Sequence, residues 1–277
     1  MAENLYHFTS VESLVSMLSD YTAETPNFKL WASNALFMND ASEFIYAASI
    51  LEGALRQFEK EEGVDAEEAF AYVLSSDRLP FKIDALKDVP FITSLTEDIT
   101  SAALWDIYAK KGCGIALEFD SNEVHKNRAA ICEQCFYCKD SADFLSNKNL
   151  RERLLNSYKR AVDLTPMSIG YLPKQAHIVR AYLVLSQFSP ILKNASFKYE
   201  QEHRLYSQSK DVKFRVKGNV ILPYKEIELP ASIIKKIVVG PCSDFEYVAM
   251  SIRYFLVSKG LADLSQRVEH STVPYRG

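Results

Sequence analysis

No stretch of this chain strings together the roughly 20 consecutive apolar residues that a membrane-spanning helix needs, so contact with a bilayer through such a helix is not expected. The opening Met1-Ala2-Glu3-Asn4-Leu5 is acidic and no long apolar run follows it, so a secretory leader is not expected either. The reading is a cytoplasmic protein, prokaryotic in style. Cysteine is scarce and odd in number, five among 277 residues, which without export context argues against a disulfide framework. Surplus positive charge is also missing. With 32 Lys and Arg against 36 Asp and Glu the formal charge is −4, which disfavours broad, non-specific binding to nucleic acid or anionic membrane and leaves only a local basic groove open. Internal repeats, low-complexity tracts and Pro/Gly/Ser linkers are absent. So are the phosphate-binding P-loop, G-x-G-x-x-G, H-E-x-x-H and G-x-S-x-G, each of which would have pointed to a particular chemistry.

What the chain does have is ordinary globular composition, 48% hydrophobic and 25% charged, at a length that suits one large domain or two modest ones. Tyr and Phe are plentiful, 15 and 16; they serve cores first, and they also offer stacking surfaces for a nucleotide ring. Strands are expected at Leu5–Thr9, Phe28–Ala32, Phe91–Thr96, Gly114–Phe119, Ala130–Tyr137, Ile233–Val239 and Val268–Val273. Helices are expected at Val11–Leu18, Ser42–Glu62, Val64–Ser75, Thr100–Lys110, Leu150–Val162, Lys174–Leu192 and Asp244–Lys259. Thr9 or Ser10 caps the first of these and Ser243 the last. A Pro- and Gly-containing link runs from Pro166 to Pro173. Helices and strands mix without regular βαβ alternation, which favours an α+β fold over a doubly wound sheet. The expected organisation is a single domain, residues 1–277, with helical insertions at about 42–86 and 141–192.

Four groups of residues carry candidate chemistry. Glu200-Gln201-Glu202 opens the run that continues His203-Arg204-Leu205-Tyr206. If the run is extended, Glu200 and Glu202 leave one face. Paired carboxylates beside Arg and His suit a sugar or a developing cation, and equally a plain ion-pair network. His7 sits on the first strand with Thr9 on its face, either as a site residue or as a hydrogen-bonded histidine near a strand end. Ser94 and Thr96 share a face of a core strand, where buried hydroxyls must find a partner, whether ligand, backbone or helix cap. Asn39-Asp40 with Glu43 is either a turn capping the next helix or a carboxylate group at a pocket rim, which could also hold Mg²⁺. Trp105 and Tyr108, at i and i+3 of a helix, are read as core. Cys132, Cys135 and Cys138 imitate a metal motif, with His125 as the nearest further ligand. Residues three apart on a strand point to opposite faces, so no metal is assigned.

Several of these segments are similar to a widespread bacterial family, the domain of unknown function 2971. They are Leu5-Tyr6-His7-Phe8-Thr9, Phe37-Met38-Asn39-Asp40-Ala41-Ser42-Glu43, Leu104-Trp105-Asp106-Ile107-Tyr108-Ala109 with Gly112-Cys113-Gly114-Ile115, and Tyr199-Glu200-Gln201-Glu202-His203-Arg204-Leu205. That resemblance spans nearly the whole chain and implies no activity. More remotely, the order of a strand-end His, a hydroxyl pair and Glu-x-Glu resembles the ADP-ribosyltransferase superfamily. The middle hydroxyl of that superfamily's Ser-Thr-Ser motif is replaced here by Leu95. This second resemblance implies a split β-sheet core and NAD as substrate. His7 and Thr9 would lie on the adenosine side, with Ser94 and Thr96 in the hydroxyl role. Glu202 would be the catalytic carboxylate and Glu200 the acceptor-side carboxylate. It further implies an ADP-ribosyltransferase or NAD glycohydrolase acting on a protein or nucleic acid, in the setting of a toxin or phage-defence effector with an antitoxin or immunity partner. The alternatives are a metal-dependent nuclease or hydrolase using Asp40, Glu43 and Glu202, and a non-catalytic nucleotide-binding module.

Overall fold

Alternation builds the central strands. In β4 (Ile115–Asp120), Ile115, Leu117 and Phe119 point to one side and Ala116 and Glu118 to the other. β4 pairs antiparallel along the whole of β1 (Asn4–Thr9), so Leu5, His7 and Thr9 share the side of Phe119, Leu117 and Ile115. Onto that side pack Leu14 and Met17 of α1 (Val11–Met17). So do Ala249, Ile252 and Leu256 of α7 (Phe245–Ser258). Each fully buried Leu, Ile or Phe contributes about 1.5–3 kcal/mol of burial free energy, which fixes the register of every strand feeding this core. The opposite side carries a smaller cluster under α3 (Ala102–Tyr108), in which Trp105 meets Phe8 edge to face at 4.8 Å.

The computed structural model describes residues 2–38, 42–62, 89–164, 184, 187–207 and 209–274. The expected helix Val64–Ser75, Asn39-Asp40 and the Pro166–Pro173 link lie outside the described residues, as does most of Lys174–Leu192. Two compact units divide the chain. The first comprises Met1–Ser33, Phe91–Gln134 and Tyr199–Gly277, and the second Asn34–Pro90 and Cys135–Lys198.

The first unit holds a ten-stranded sheet. Its remaining strands are β2 (Asn27–Asn34), β3 (Phe91–Thr96), β5 (Ala130–Gln134), β8 (Glu202–Ser207), β9 (Lys213–Lys217), β10 (Val220–Pro230), β11 (Ile234–Val239) and β12 (Val268–His270). The order is β12-β11-β4-β1-β3-β2-β10-β9, with β8 between β3 and β5. Parallel pairing occurs at β11–β12, whereas β1–β4, β3–β8, β5–β8, β9–β10, β2–β10 and β4–β11 are antiparallel. This is a mixed α+β architecture with a mostly antiparallel sheet. The sheet branches at β3, which has three neighbours. β8 follows β3 from Ile92 to Thr96, while β1 meets it at the single pair Tyr6–Thr96.

The second unit contains α2 (Ser42–Glu62), α5 (Ser141–Ser146), α6 (Lys148–Leu164) and a parallel pair, β6 (Phe136–Cys138) with β7 (Leu192–Asn194). Tyr46 donates to the carbonyls of Cys138 and Lys139, and Phe144 packs on Phe188. Among the described residues no helix is long and apolar enough to cross a membrane.

Several local expectations need correction. The single strand expected over Ala130–Tyr137 is two strands, β5 and β6, in different units. The side chain that caps α7 belongs to Asp244, whose carboxylate accepts from the Tyr247 amide, rather than to Ser243. α4 (Ser121–Lys126), capped by Asp120, and the β9–β10 hairpin were not foreseen. Close backbone packing explains one glycine. A Cβ on Gly240 would overlap the Gly112 carbonyl, where the loops after α3 and β11 touch.

Candidate functional site

The Glu-x-Glu segment does not form one extended strand. Glu200 ends a 3-10 turn spanning Ala195–Glu200, Gln201 adopts the left-handed conformation at φ 43°, and β8 begins at Glu202. The two carboxylates are therefore not alternate residues of one strand face. The turn is held by Thr96, whose hydroxyl donates to the Glu200 carbonyl at 2.5 Å and accepts from the Asp98 amide at 3.0 Å. The Glu97 amide donates to the Gln201 carbonyl, closing the corner from the other strand.

Glu202 and Arg204 are alternate residues of β8 and share a face. The guanidinium forks onto the carboxylate, with Nε donating to Oε1 at 2.9 Å and Nη2 to Oε2 at 3.1 Å. Only 4% of Glu202 and 1% of Arg204 is exposed. Two parallel charge-assisted bonds orient the carboxylate rigidly, the ion-pair arrangement that the segment was also expected to allow. Glu200, 5% exposed, accepts from the Tyr108 hydroxyl at 3.3 Å through Oε1. Tyr108 is thus partly exposed beside a carboxylate and not a core residue, whereas Trp105 is fully buried with its indole N–H on the Ile99 carbonyl.

Register brings further residues to the face of Glu202. Glu202 lies opposite Thr96, Thr96 opposite Tyr6, Tyr6 opposite Glu118, and Glu118 opposite Lys236. One row across β8, β3, β1, β4 and β11 thus reads Glu202, Thr96, Tyr6, Glu118, Lys236. Ser94 and Arg204 form the next cross-strand pair. Lys236 lies 3.4 Å from Glu118 and 3.1 Å from Glu269. Burial, helped by the nearby Glu118 charge, raises the Tyr6 hydroxyl above its ordinary pKa. Tyr6, Glu118 and Lys236 were missed because nothing local in the sequence marks them. The one available signal was the expected alternation of Tyr6 against His7.

His7 and Thr9 do not share that face, since they alternate with Tyr6 on β1. The His7 Nδ1 reaches the Ser94 backbone carbonyl at 3.0 Å, at the branch where β1 and β3 part. Burial holds this imidazole below its ordinary pKa, with the Ser94 carbonyl pulling weakly the other way. The structure therefore brings together Ser94, Thr96, Glu202 and Arg204, with Glu200 at the corner, and leaves the side chains of His7 and Thr9 on the other side.

The remaining candidates fall in different units or outside the described residues. Glu43 belongs to the second unit, where it lies 3.1 Å from the buried Lys193, and Asp40 lies outside the described residues. Cys132 is on β5 of the first unit, and Cys135 and Cys138 are in the second. Burial pushes the Cys132 thiol up to about 12 and the Cys138 thiol to about 11, so neither is a ready thiolate on its own.

Fold and site together define an α+β protein with a branched, largely antiparallel sheet and a row of polar side chains across its centre, of which Glu202, Thr96 and Glu118 are buried. Residues 104–205 match the sequence model of a family described as a protein of unknown function (DUF2971). The match runs from α3 into β8 and includes Glu200, Glu202 and Arg204. It does not reach Leu5–Thr9 or Phe37–Glu43, so the similarity is to this stretch and not to nearly the whole chain. No curated protein and no solved structure matches the chain.

Proposed function

We propose that the protein consumes NAD, breaking the nicotinamide–ribose bond and passing ADP-ribose to a macromolecular acceptor or to water. The observation that carries this reading is the direct cross-strand pairing of Thr96 with a buried, Arg-clamped Glu202, next to the Ser94–Arg204 pair, where the sheet branches. In such a reaction the C1′–N bond breaks and nicotinamide leaves with the bonding pair. The ribose passes through an oxocarbenium-like state. A fixed carboxylate beside C1′ stabilises that charge, and its hydrogen bond to a ribose hydroxyl strengthens as charge develops. Glu202, rigid in the Arg204 fork, suits this role. Glu200, beside Tyr108, suits the proton of the incoming nucleophile. On this reading Tyr6, which shares the row with Thr96 and Glu202, would stand in for His7 toward NAD. A toxin or phage-defence effector is the setting such an activity suits.

Incubation of the purified protein with NAD tests the reading, with free nicotinamide and ADP-ribosylated products followed by mass spectrometry. Glu202→Gln is expected to lower nicotinamide release about 100-fold, the rate equivalent of one strong charge-assisted interaction. Tyr6→Phe is expected to raise the KM for NAD more than His7→Gln does. Unchanged turnover in Glu202→Gln, or no nicotinamide release with protein and nucleic-acid acceptors present, overturns the reading.

A further inference from the structure

Behind the polar row, on the core side of β8, three metal-ligating side chains converge. His203 lies between Glu202 and Arg204 in sequence, so its ring leaves by the other face. There it joins Cys132, since Cys132 is opposite Leu205 and His203 is opposite Gln134 on the paired strands. His125 arrives from the last turn of α4, and its ring stands at 89° to that of His203, with centroids 6.0 Å apart. One ligand atom from each of His125, Cys132 and His203 lies within 4.8 Å of the others.

The second nitrogen of each ring decides what the first can do. His125 Nδ1 lies 2.7 Å from the Ser121 carbonyl, which can only accept, so this nitrogen carries the proton and Nε2 carries the lone pair. His203 Nε2 lies 2.7 Å from Glu97 Oε1. It donates there and leaves the lone pair on Nδ1. That Nδ1 belongs to a side chain only 2% exposed and has no hydrogen-bond partner among the described residues. A buried acceptor with no donor is rare in folded proteins. Carboxylate–histidine and carbonyl–histidine pairs of this kind are what orient imidazoles toward metals. The Gln134 amide, 3.5 Å from the same Glu97 oxygen, supports the carboxylate from β5.

We propose that His125 Nε2, His203 Nδ1 and Cys132 Sγ bind one Zn²⁺, with Glu97 and the Ser121 carbonyl as the groups that fix the two rings. Two imidazoles and a thiolate suit Zn²⁺ and do not suit the hard, oxygen-seeking Mg²⁺ or Ca²⁺. Tetrahedral bonding at ordinary Zn–N and Zn–S lengths sets the ligand atoms about 3.3–3.6 Å apart, so loading the ion draws together side chains whose ligand atoms now lie within 4.8 Å. Three protein ligands leave the fourth position to water or an added ligand. The ion ties α4 and β5 to β8, the strand that carries Glu202 and Arg204. It therefore braces the polar row from behind without touching it, and the site stands whether or not that row binds NAD.

The test uses metal-stripped full-length protein titrated with Co²⁺ as a coloured stand-in for Zn²⁺. One equivalent is expected to bind with tetrahedral d–d absorption and a thiolate-to-cobalt charge-transfer band, both lost on adding Zn²⁺. Cys132→Ser removes the charge-transfer band. Cys113→Ser, at an exposed cysteine, keeps it. Thermal melts guard against a misfolded variant: Zn²⁺ raises the Tm of the parent protein, and His125→Gln melts cooperatively but gains nothing from Zn²⁺. Absence of the thiolate band in the parent, its survival in Cys132→Ser, or an equal Zn²⁺-induced Tm rise in His125→Gln overturns the proposal.

Discussion

Replacing Arg204 by Met removes the guanidinium and keeps most of the side-chain volume, so the main consequence falls on Glu202. That carboxylate is 4% exposed and loses donors at 2.9 and 3.1 Å. A buried carboxylate without its cation destabilises a fold by about 3–5 kcal/mol. With a denaturant slope of roughly 3 kcal/mol per M in urea, the midpoint moves down by about 1–1.7 M. The companion variant, Glu202→Met with Arg204→Met, removes both charges of the fork. Removing both members of such a pair is often neutral or stabilising by about 1–4 kcal/mol, so the double variant should recover most of the loss. Urea unfolding of the parent, both single variants and the double, followed by circular dichroism, closes the cycle and isolates the coupling. A cost below about 1 kcal/mol for Arg204→Met would refute the reasoning, and so would a double variant no more stable than the worse single. For the proposed NAD reaction the double variant also separates roles: a variant that stays folded yet shows no nicotinamide release, where the parent protein does, has lost chemistry and not stability.

Two further predictions concern the frame. His7 and His203 are both held below their ordinary pKa, chiefly by burial, so the unfolded chain binds more protons as pH drops below its histidine pKa of about 6.5. In metal-free protein their stability contribution is full above that pH and is lost as pH falls toward the folded-state values. Melting at pH 7.5 and 5.5 should show a lower Tm at the acid end, with a smaller drop in His7→Gln; an equal drop in that variant removes His7 from the account. Gly240→Ala sets a methyl against the Gly112 carbonyl and should cost about 1–3 kcal/mol, as overpacking does; an unchanged urea midpoint contradicts that close approach.

Legibility differed between elements for physical reasons. β1, β3, β4 and β11 were readable because each buries a regular set of apolar side chains, and period-two alternation is local information. The β5–β6 boundary was not readable. Ala130–Cys138 is continuous in character, and only its partners, β8 for one half and β7 for the other, divide it. For Glu200 and Glu202 the same rule misled, because alternation assumes extended backbone and Gln201 at φ 43° breaks it. His7 was noticed as a histidine on a strand, while Tyr6, one residue earlier, is the one that faces Thr96.

By itself the sequence determined the strand and helix periods, the Ser10-capped start of α1, the α+β mixture and the presence of chemically able residues near positions 94, 125, 132 and 202. Tertiary structure alone decided which of them meet. The Glu202–Thr96–Tyr6–Glu118–Lys236 row needs four successive strand registers, and the meeting of His125, Cys132 and His203 needs a helix laid over two paired strands. Registers are set by burial of the apolar set on the opposite face. The polar residues are therefore carried into place by contacts they do not themselves make, and local sequence holds no record of that.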